Sequence, residues 1–292
     1  MATTGRFLVW DGCFNVRDLG GGLGRVVPRA AVRADRLDAL TARGWTTLSA
    51  HGIRTVVDLR NDDELVVDQS ARPAGLTTLR IPLDGIEHRD FWDTWWGTPG
   101  FGTPAYFRPF LERFPDRVAA VARAIAEAPP GGVAFHCGLG RDRTGIIALV
   151  LLKLAGADPE EIAADHGLSE PRVRAMHATQ GRPYDSGEIE AYVAGLVLGQ
   201  ATFARQGAAS GACSRRAGRK RSYWTYLSFR PVRRECVPGV ATGRTSPDAA
   251  LGTTVHELAR EAADWLDAEA YLRAAGLGPG PLDALRRRLG GR

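Results

Sequence analysis

Residues 136–145, with the sequence HCGLGRDRTG, constrain the fold of this chain more than any other segment. The apolar residues 133–136 before it predict a short buried strand, and the apolar residues 144–154 after it predict a helix. A loop between a strand and a helix faces the positive N-terminal end of that helix. The segment therefore predicts an anion-binding loop at the carboxyl end of a strand.

Strands and helices alternate along much of the chain. The run TVVDL at residues 55–59 predicts a second buried strand, preceded by a helix at 41–51, and residues 77–83 predict a third strand. Other predicted helices are two within 107–127 that are broken near Pro115, and those at 159–166, 170–178, from 254 onward and at 281–289. This alternation predicts an α/β fold with a central, mainly parallel sheet flanked by helices, in a single domain covering residues 1–292.

The loop itself has the spacing of a phosphate site. Five residues separate Cys137 from Arg143, which lets a tight loop wrap a phosphate with successive backbone N–H groups pointing inward. Gly138 and Gly140 permit the unusual backbone angles of such a loop. The predicted phosphate-binding residues are Gly138, Leu139, Gly140, Arg141, Asp142 and Arg143.

Three side chains at this loop have predicted catalytic roles. A helix N-terminus and nearby cations stabilise a thiolate, so we expect Cys137 to be a nucleophile. Arg143 can donate to two phosphate oxygens at once and so stabilise both the bound phosphate and the transition state. Thr144 can donate its hydroxyl to the sulfur and assist the departure of the sulfur in a second step.

An alcohol that leaves phosphorus needs a proton, and a carboxylic acid is the usual donor. Asp142 lies inside the loop, and Asp84 follows the strand predicted at 77–83. Each has a simpler alternative role, because Asp142 could cap the helix and Asp84 could form a turn before a glycine. Arg60, at the carboxyl end of a buried strand, is predicted either to contact substrate or to pair with Glu64.

Two further interpretations concern residues beside the loop. Arg17 and Asp18 are expected to form a structural ion pair near the site. His136, on the strand side of the loop, is expected to be a packed, hydrogen-bonded residue rather than a proton shuttle.

Four motifs, in the same order, resemble those of the bacterial tyrosine and lipid phosphatases typified by the mycobacterial PtpB enzyme. NVRDLGG at residues 15–21 resembles that family's NxRDLGG, and VDLR at 57–60 followed by Glu64 resembles its DLRxxxE. The loop at 136–145 is similar to HCxxGKDRTG, and YLRAAGL at 271–277 resembles a stretch near the family's C-terminus. The resemblance covers roughly residues 14–200 and 254–289.

The resemblance implies a protein tyrosine phosphatase-like fold and hydrolysis of phosphotyrosine proteins or peptides through a cysteinyl-phosphate, with no metal or other cofactor. A dual-specificity or phosphoinositide phosphatase is the alternative that the same family implies. It also favours Asp142 over Asp84 as the acid, since the family places an acid at that position of the loop. Arg141 stands where the family usually has Lys in a pair associated with phosphoinositide activity. Phosphotyrosine is therefore implied more strongly than phosphoinositides.

Two segments have unusual compositions. Residues 86–114 contain a candidate lid, whose aromatic residues could alternatively pack on the core: Phe91, Trp92, Trp95, Trp96, Phe101, Tyr106 and Phe107. Residues 205–245 hold ten basic residues and one acidic residue, so the Gly-, Ser- and Arg-rich stretch 206–247 is expected to be a disordered insertion. No nucleic-acid motif accompanies it, and no nucleic-acid partner is expected.

Other features limit the classes of protein. The four cysteines are too widely spaced for a zinc site or a disulfide framework. The N-terminal segment lacks the apolar core of a secretory signal, and the longest apolar run is far shorter than a membrane span. We therefore expect a cytoplasmic protein without a transmembrane segment.

Overall fold

The computed structural model describes residues 6–96, 98–184, 186–196 and 254–290. Its central sheet contains strands β1 Arg17–Asp18, β2 Ala31–Ala34, β3 Ile53–Asp58, β4 Thr77–Arg80 and β5 Gly132–His136. The strand order is β1-β2-β5-β3-β4, with β1 antiparallel to β2 and the other pairs parallel. The predicted mainly parallel sheet is confirmed, whereas the basic insertion predicted at 206–247 lies outside the described residues.

Helices cover both faces of this sheet. The described helices are α1 Ala42–Ala50, α2 Arg89–Trp95, α3 Phe107–Arg113, α4 Pro115–Glu127, α5 Arg143–Leu154, α6 Pro159–Gly167, α7 Ser169–Thr179, α8 Ser186–Ala194, α9 Val255–Trp265, α10 Ala268–Ala274 and α11 Pro279–Leu289. Within the ranges that the structure describes, no helix has the length and apolar character needed to cross a membrane.

The alternation of side chains along β5 divides the core into two clusters, because successive strand residues point to opposite faces. Val133 and Phe135 belong to the larger cluster, which includes apolar residues of α3, α4, α5 and the three C-terminal helices. Ala134 belongs to the smaller cluster, which includes Trp45 and Leu48 of α1. The central strand is therefore buried on both faces, and its carboxyl end leads directly into the loop that begins at Cys137.

Local signals explain several of the element boundaries. Pro115 occupies the first position of α4, where a proline is tolerated, and it separates α4 from α3 as predicted. Thr41 caps α1 by accepting a hydrogen bond from the N–H of Gly44. The strand predicted at 77–83 is shorter and ends at Arg80, just before Pro82, which has no N–H to donate.

The sequence did not predict β1, β2, α2 or α8. Strand β2 has the sequence AVRA, and all four of its residues are buried. Arg33 interrupts the apolar pattern of this strand, so the pattern does not predict a buried strand here. Arg33 is nevertheless buried, because it pairs with Asp165 from a distant part of the chain.

Candidate active site

Cys137 follows β5 directly, at the carboxyl end of the middle strand of the sheet. Its side chain is buried, and the Thr144 hydroxyl donates a hydrogen bond to its sulfur over 3.1 Å. Helix α5 begins at Arg143, so the residues between it and Cys137 form the predicted loop between a strand and a helix. The sulfur therefore lies at the positive end of α5.

Arg143 is held by carboxylates from the loops that follow the neighbouring strands. Glu64, after β3, accepts hydrogen bonds from Nη1 and Nη2 over 2.5 and 2.7 Å. Asp84, after β4, lies 3.2 Å from Nη1. All three side chains are buried, so these contacts fix the direction of the guanidinium. Glu64 was recognised as a motif residue, but its bond to Arg143 was not predicted.

The carbonyl groups of the loop are bonded to groups outside it. Asn15 Nδ2 donates to the carbonyl of Leu139 over 3.0 Å, and the Arg36 N–H donates to that of Gly138 over 3.3 Å. Arg33 Nη2 donates to the carbonyls of Gly140 and Arg141, over 2.9 and 3.3 Å. In a planar trans peptide the N–H points opposite to the C=O. Carbonyls held outward therefore turn the next N–H groups inward, as a phosphate site requires.

Only one of the two loop glycines needs a backbone angle that other residues avoid. Gly140 has φ of +66°, and a Cβ on it would lie 2.6 Å from the carbonyl oxygen of Ala34. Gly138 has no positive φ, and the nearest atom to a Cβ there would be 3.8 Å away, on Glu64. The unusual backbone angle that was expected at Gly140 is confirmed, and the one that was expected at Gly138 is wrong.

The two candidate acids have different surroundings. Asp84 is buried, accepts a hydrogen bond from Asn61 over 2.9 Å and lies beside Arg143. Burial raises the pKa of Asp84 to about 6, although the Arg143 charge opposes the shift. Asp142 precedes α5 without capping it, and its carboxylate accepts a hydrogen bond from Arg141 Nε over 2.8 Å.

Arg141 is bound on its outer side. Its Nη1 donates to the hydroxyl of Tyr184 over 2.8 Å and lies 3.8 Å from a carboxylate oxygen of Glu170. Tyr184 in turn donates to Glu170 over 2.5 Å. A Cβ on Gly102 would lie 2.6 Å from Arg141 Nη2, so the segment before α3 covers this side of the loop.

This geometry agrees with the comparison against known families, in which the model of the tyrosine phosphatase family matches residues 8–290. The chain belongs to this family. A tyrosine-protein phosphatase of Nostoc commune is 35% identical over 168 residues, which are 57% of this chain and 55% of that protein. The triple specificity protein phosphatase PtpB of Mycobacterium tuberculosis is 26% identical over 196 residues, which are 57% of this chain and 70% of that protein. The match thus spans about half the length of the Nostoc relative.

Membership of the tyrosine phosphatase family confirms the resemblance and the fold expected from the four motifs. Three features of this site were not predicted from the sequence: the bonds of Asn15 and Arg33 to the loop, and the contact of Tyr184 with Arg141. Asn15 could have been found, because it begins the NVRDLGG motif. Arg33 and Tyr184 lie in no motif and reach the loop only through the fold.

Arg60 does not pair with Glu64, so that prediction is wrong. Its guanidinium is buried and binds Asp58 over 2.8 Å and Asp38 over 2.6 Å. The contact with substrate stays a prediction that this geometry does not support. Each nitrogen of the Arg60 guanidinium already donates to a carboxylate.

The predicted ion pair between Arg17 and Asp18 is also wrong. The Arg17 guanidinium binds the carboxylate of Asp165, and Asp18 accepts backbone N–H bonds and contacts His51. Adjacent residues of a strand point to opposite faces, so these two side chains have separate surroundings.

His136 is packed as expected. It is completely buried, and its Nδ1 lies 3.2 Å from the carbonyl oxygen of Cys137. Burial lowers the pKa of His136, which favours the neutral ring.

The aromatic residues of the candidate lid pack largely on the core. Trp92 and Tyr106 are buried, and Trp92 stacks on Phe114 with ring centroids 6.3 Å apart. Trp92 Nε1 also donates to the backbone carbonyl of Asp84 over 2.9 Å. The packing alternative therefore describes these side chains, and a lid within 86–114 stays a prediction.

Proposed function

We propose that this chain hydrolyses phosphotyrosine in proteins or peptides through a covalent intermediate on Cys137. One observation supports the proposal most directly. The Cys137 sulfur accepts a hydrogen bond from Thr144 within a loop whose carbonyls of Gly138 to Arg141 are all bonded outward. A nucleophile and an oxyanion site at the same helix end are what phosphoryl transfer to sulfur needs.

In the first step the thiolate of Cys137 attacks phosphorus. A sulfur–phosphorus bond forms while the bond from phosphorus to the phenolic oxygen breaks, and a carboxylic acid gives that oxygen its proton. Arg143 donates to two phosphate oxygens, and Glu64 keeps it in the orientation that this requires. The inward N–H groups of the loop stabilise the negative charge on the phosphoryl oxygens.

In the second step a water molecule attacks the phosphorus of the cysteinyl-phosphate. The carboxylate formed in the first step accepts a proton from this water, the sulfur–phosphorus bond breaks and inorganic phosphate leaves. The Thr144 hydroxyl stabilises the departing thiolate by donating to it.

We assign the proton transfer to Asp84 in preference to Asp142, which the resemblance favours. Because the pKa of Asp84 is about 6, this carboxyl is protonated in part of the protein molecules near neutral pH and can act as an acid. A bound phosphate would add negative charge beside it and favour the protonated form further. Asp142 contacts Arg141 over 2.8 Å and Asp84 contacts Arg143 over 3.2 Å, so the assignment rests on the burial of Asp84 and not on the ion pairs.

Phosphotyrosine is preferred over phosphoinositides as the substrate class because of Arg141. Its Nε and Nη1 are already bonded to Asp142 and Tyr184. A headgroup phosphate that used these same N–H groups would displace Asp142 and Tyr184. The name of the mycobacterial relative, triple specificity protein phosphatase, makes a comparison of several substrate classes necessary.

The test is phosphate release from a phosphotyrosine peptide, a phosphoserine peptide and a short-chain phosphoinositide by the wild type, Cys137→Ser and Cys13→Ser. We expect the wild type and Cys13→Ser to release phosphate mainly from phosphotyrosine. The rate of phosphate release by Cys137→Ser should be lower than that of the wild type by about a thousandfold or more. Equal rates for the wild type and Cys137→Ser would refute the role of the nucleophile. A higher rate on the phosphoinositide would overturn the substrate assignment.

A further inference from the structure

A buried cluster of charges contacts the carbonyl groups of the loop. The carboxylate of Asp165, in α6, contacts three guanidinium groups: Arg6 over 2.9 Å, Arg17 over 3.0 Å and Arg33 over 2.7 Å. All four side chains are at most 4% exposed. Neighbouring cations lower the pKa of Asp165 against the opposing effect of burial, so it is ionised.

This cluster has more positive than negative charge. Three guanidinium groups surround one carboxylate, and the adjacent His166 adds no charge because burial lowers its pKa well below the usual value. Burial, together with repulsion from Arg17, lowers the pKa of Arg33 to about 9, which leaves Arg33 protonated at neutral pH. The Asp165 carboxylate opposes this lowering through its charge and its hydrogen bond, and Arg33 also interacts electrostatically with Cys137.

Two members of the cluster are connected to the loop. Arg33 binds Asp165 through Nη1 and the carbonyls of Gly140 and Arg141 through Nη2. Arg17 binds Asp165 through Nε and donates through Nη1 to Asn15 Oδ1 over 2.6 Å. Asn15 then donates through Nδ2 to the carbonyl of Leu139.

We infer that Asp165 and Arg33, with Arg17 and Asn15, form a positioning unit that holds the loop open for an oxyanion and supplies positive charge behind the Cys137 thiolate. Asp165 binds both arginines and so sets the direction of the donors that bind three successive carbonyls. Positive charge that is buried and already bonded stabilises an anion without reorganisation when the anion binds. This role deepens the proposed function and rests on it for its biological meaning.

The test uses two readouts that do not require turnover of a phosphotyrosine substrate. One is the dissociation constant of tungstate, an oxyanion analogue of phosphate, measured by calorimetry. The other is the rate of iodoacetamide alkylation of Cys137 against pH, followed by mass spectrometry of the peptide that contains Cys137. The ionisable groups around this thiol are Arg33, Glu64, Asp84, Tyr106, His136, Asp142 and Arg143.

Arg33→Met removes both the charge and the carbonyl bonds. We expect it to weaken tungstate binding by about tenfold or more, the effect of losing charge-assisted hydrogen bonds, and to move the alkylation midpoint to higher pH. Arg33→Lys keeps the charge, so its alkylation midpoint should stay closer to that of the wild type while tungstate binding weakens. Arg54→Met is the matched control, because it removes an exposed arginine that does not contact the loop.

Asn15→Ala covers the case in which Arg33→Met fails to fold. It removes the bond to the Leu139 carbonyl and no charge, so tungstate binding should weaken while the alkylation midpoint stays constant. Folded Arg33 and Asn15 variants with wild-type tungstate affinity and alkylation profile would overturn the inference. Wild-type protein that binds tungstate but releases no phosphate from any substrate would refute the proposed function and leave this inference standing.

Discussion

Both carboxylate oxygens of Glu64 accept hydrogen bonds from the two terminal nitrogens of Arg143, over 2.5 and 2.7 Å, in a buried environment. This pair joins the loop after β3 to the first residue of α5. These two bonds fix the plane and the direction of the guanidinium. The orientation of Arg143 therefore depends on Glu64.

Glu64→Gln keeps the size of the side chain and removes its charge. Since hydrogen bonds to charged groups contribute about 1.5–3 kcal/mol, we expect kcat/KM to fall roughly tenfold to a hundredfold. The measurement is steady-state hydrolysis of an aryl phosphate. Glu112→Gln, which changes an exposed carboxylate paired with Arg108, should behave as the wild type. An unchanged kcat/KM in Glu64→Gln would show that Arg143 needs no such support.

Asp84→Asn tests the assignment of the general acid. We expect kcat for phenyl phosphate, which has a poor leaving group, to fall on the order of a hundredfold or more. The decrease should be smaller for an aryl phosphate with a good leaving group. In the wild type, kcat should decline as the pH rises through about 6, and this limb should disappear in Asp84→Asn. Asp142→Asn is the comparison, and the reverse pattern would assign the proton to Asp142.

Gly140→Ala and Gly138→Ala form a matched pair within the loop. Only the alanine at 140 must adopt φ of +66° and place a Cβ 2.6 Å from the Ala34 carbonyl. We expect Gly140→Ala to weaken tungstate binding by about tenfold or more, because strain of about 1–3 kcal/mol shifts the loop. Gly138→Ala should weaken tungstate binding less. If calorimetry gave the same tungstate affinity for the two variants, backbone strain at position 140 would not be the cause.

Asp35→Asn tests the pH dependence of stability. Asp35 is buried beside the N–H groups of Phe14 and Asn15, and burial raises its pKa from 3.8 to about 6. A raised pKa contributes stability that is complete below the unfolded value and is lost as the pH rises through the folded value. An asparagine does not titrate, so it avoids this loss.

The free energy of unfolding of Asp35→Asn, relative to wild type, should therefore rise between about pH 4 and pH 7. The expected rise is on the order of 2–3 kcal/mol, from about two pK units. Urea denaturation at several pH values measures it. A constant difference between Asp35→Asn and the wild type would mean that Asp35 does not titrate in this range.

Local patterns were enough to locate much of the fold. The apolar runs that became β3, β5 and α5 are continuous, and the break at Pro115 follows from the chemistry of proline. Strand β2 was missed because Arg33 lies in it. An arginine is buried in a strand only when partners neutralise and bond it, and its partner Asp165 lies in a distant helix.

The amino-acid sequence by itself determined the chemistry of the loop. The spacing of Cys137, Arg143 and Thr144, with a strand before them and a helix after them, predicted an oxyanion site next to a nucleophile. These residues are adjacent in the chain, so their relation depends on local geometry that a motif can express.

Only the tertiary structure decided which distant side chains complete the site. Glu64 and Asp84 both contact Arg143, and Arg33 binds the carbonyl of Gly140 in the loop. Arg60 pairs with Asp58 and not with Glu64. Arg17 pairs with Asp165 and not with Asp18. Ion pairs between parts of the chain that are far apart depend on sheet order and helix packing. Local propensities do not contain that information, since the same charges could be paired in several ways before the strands align.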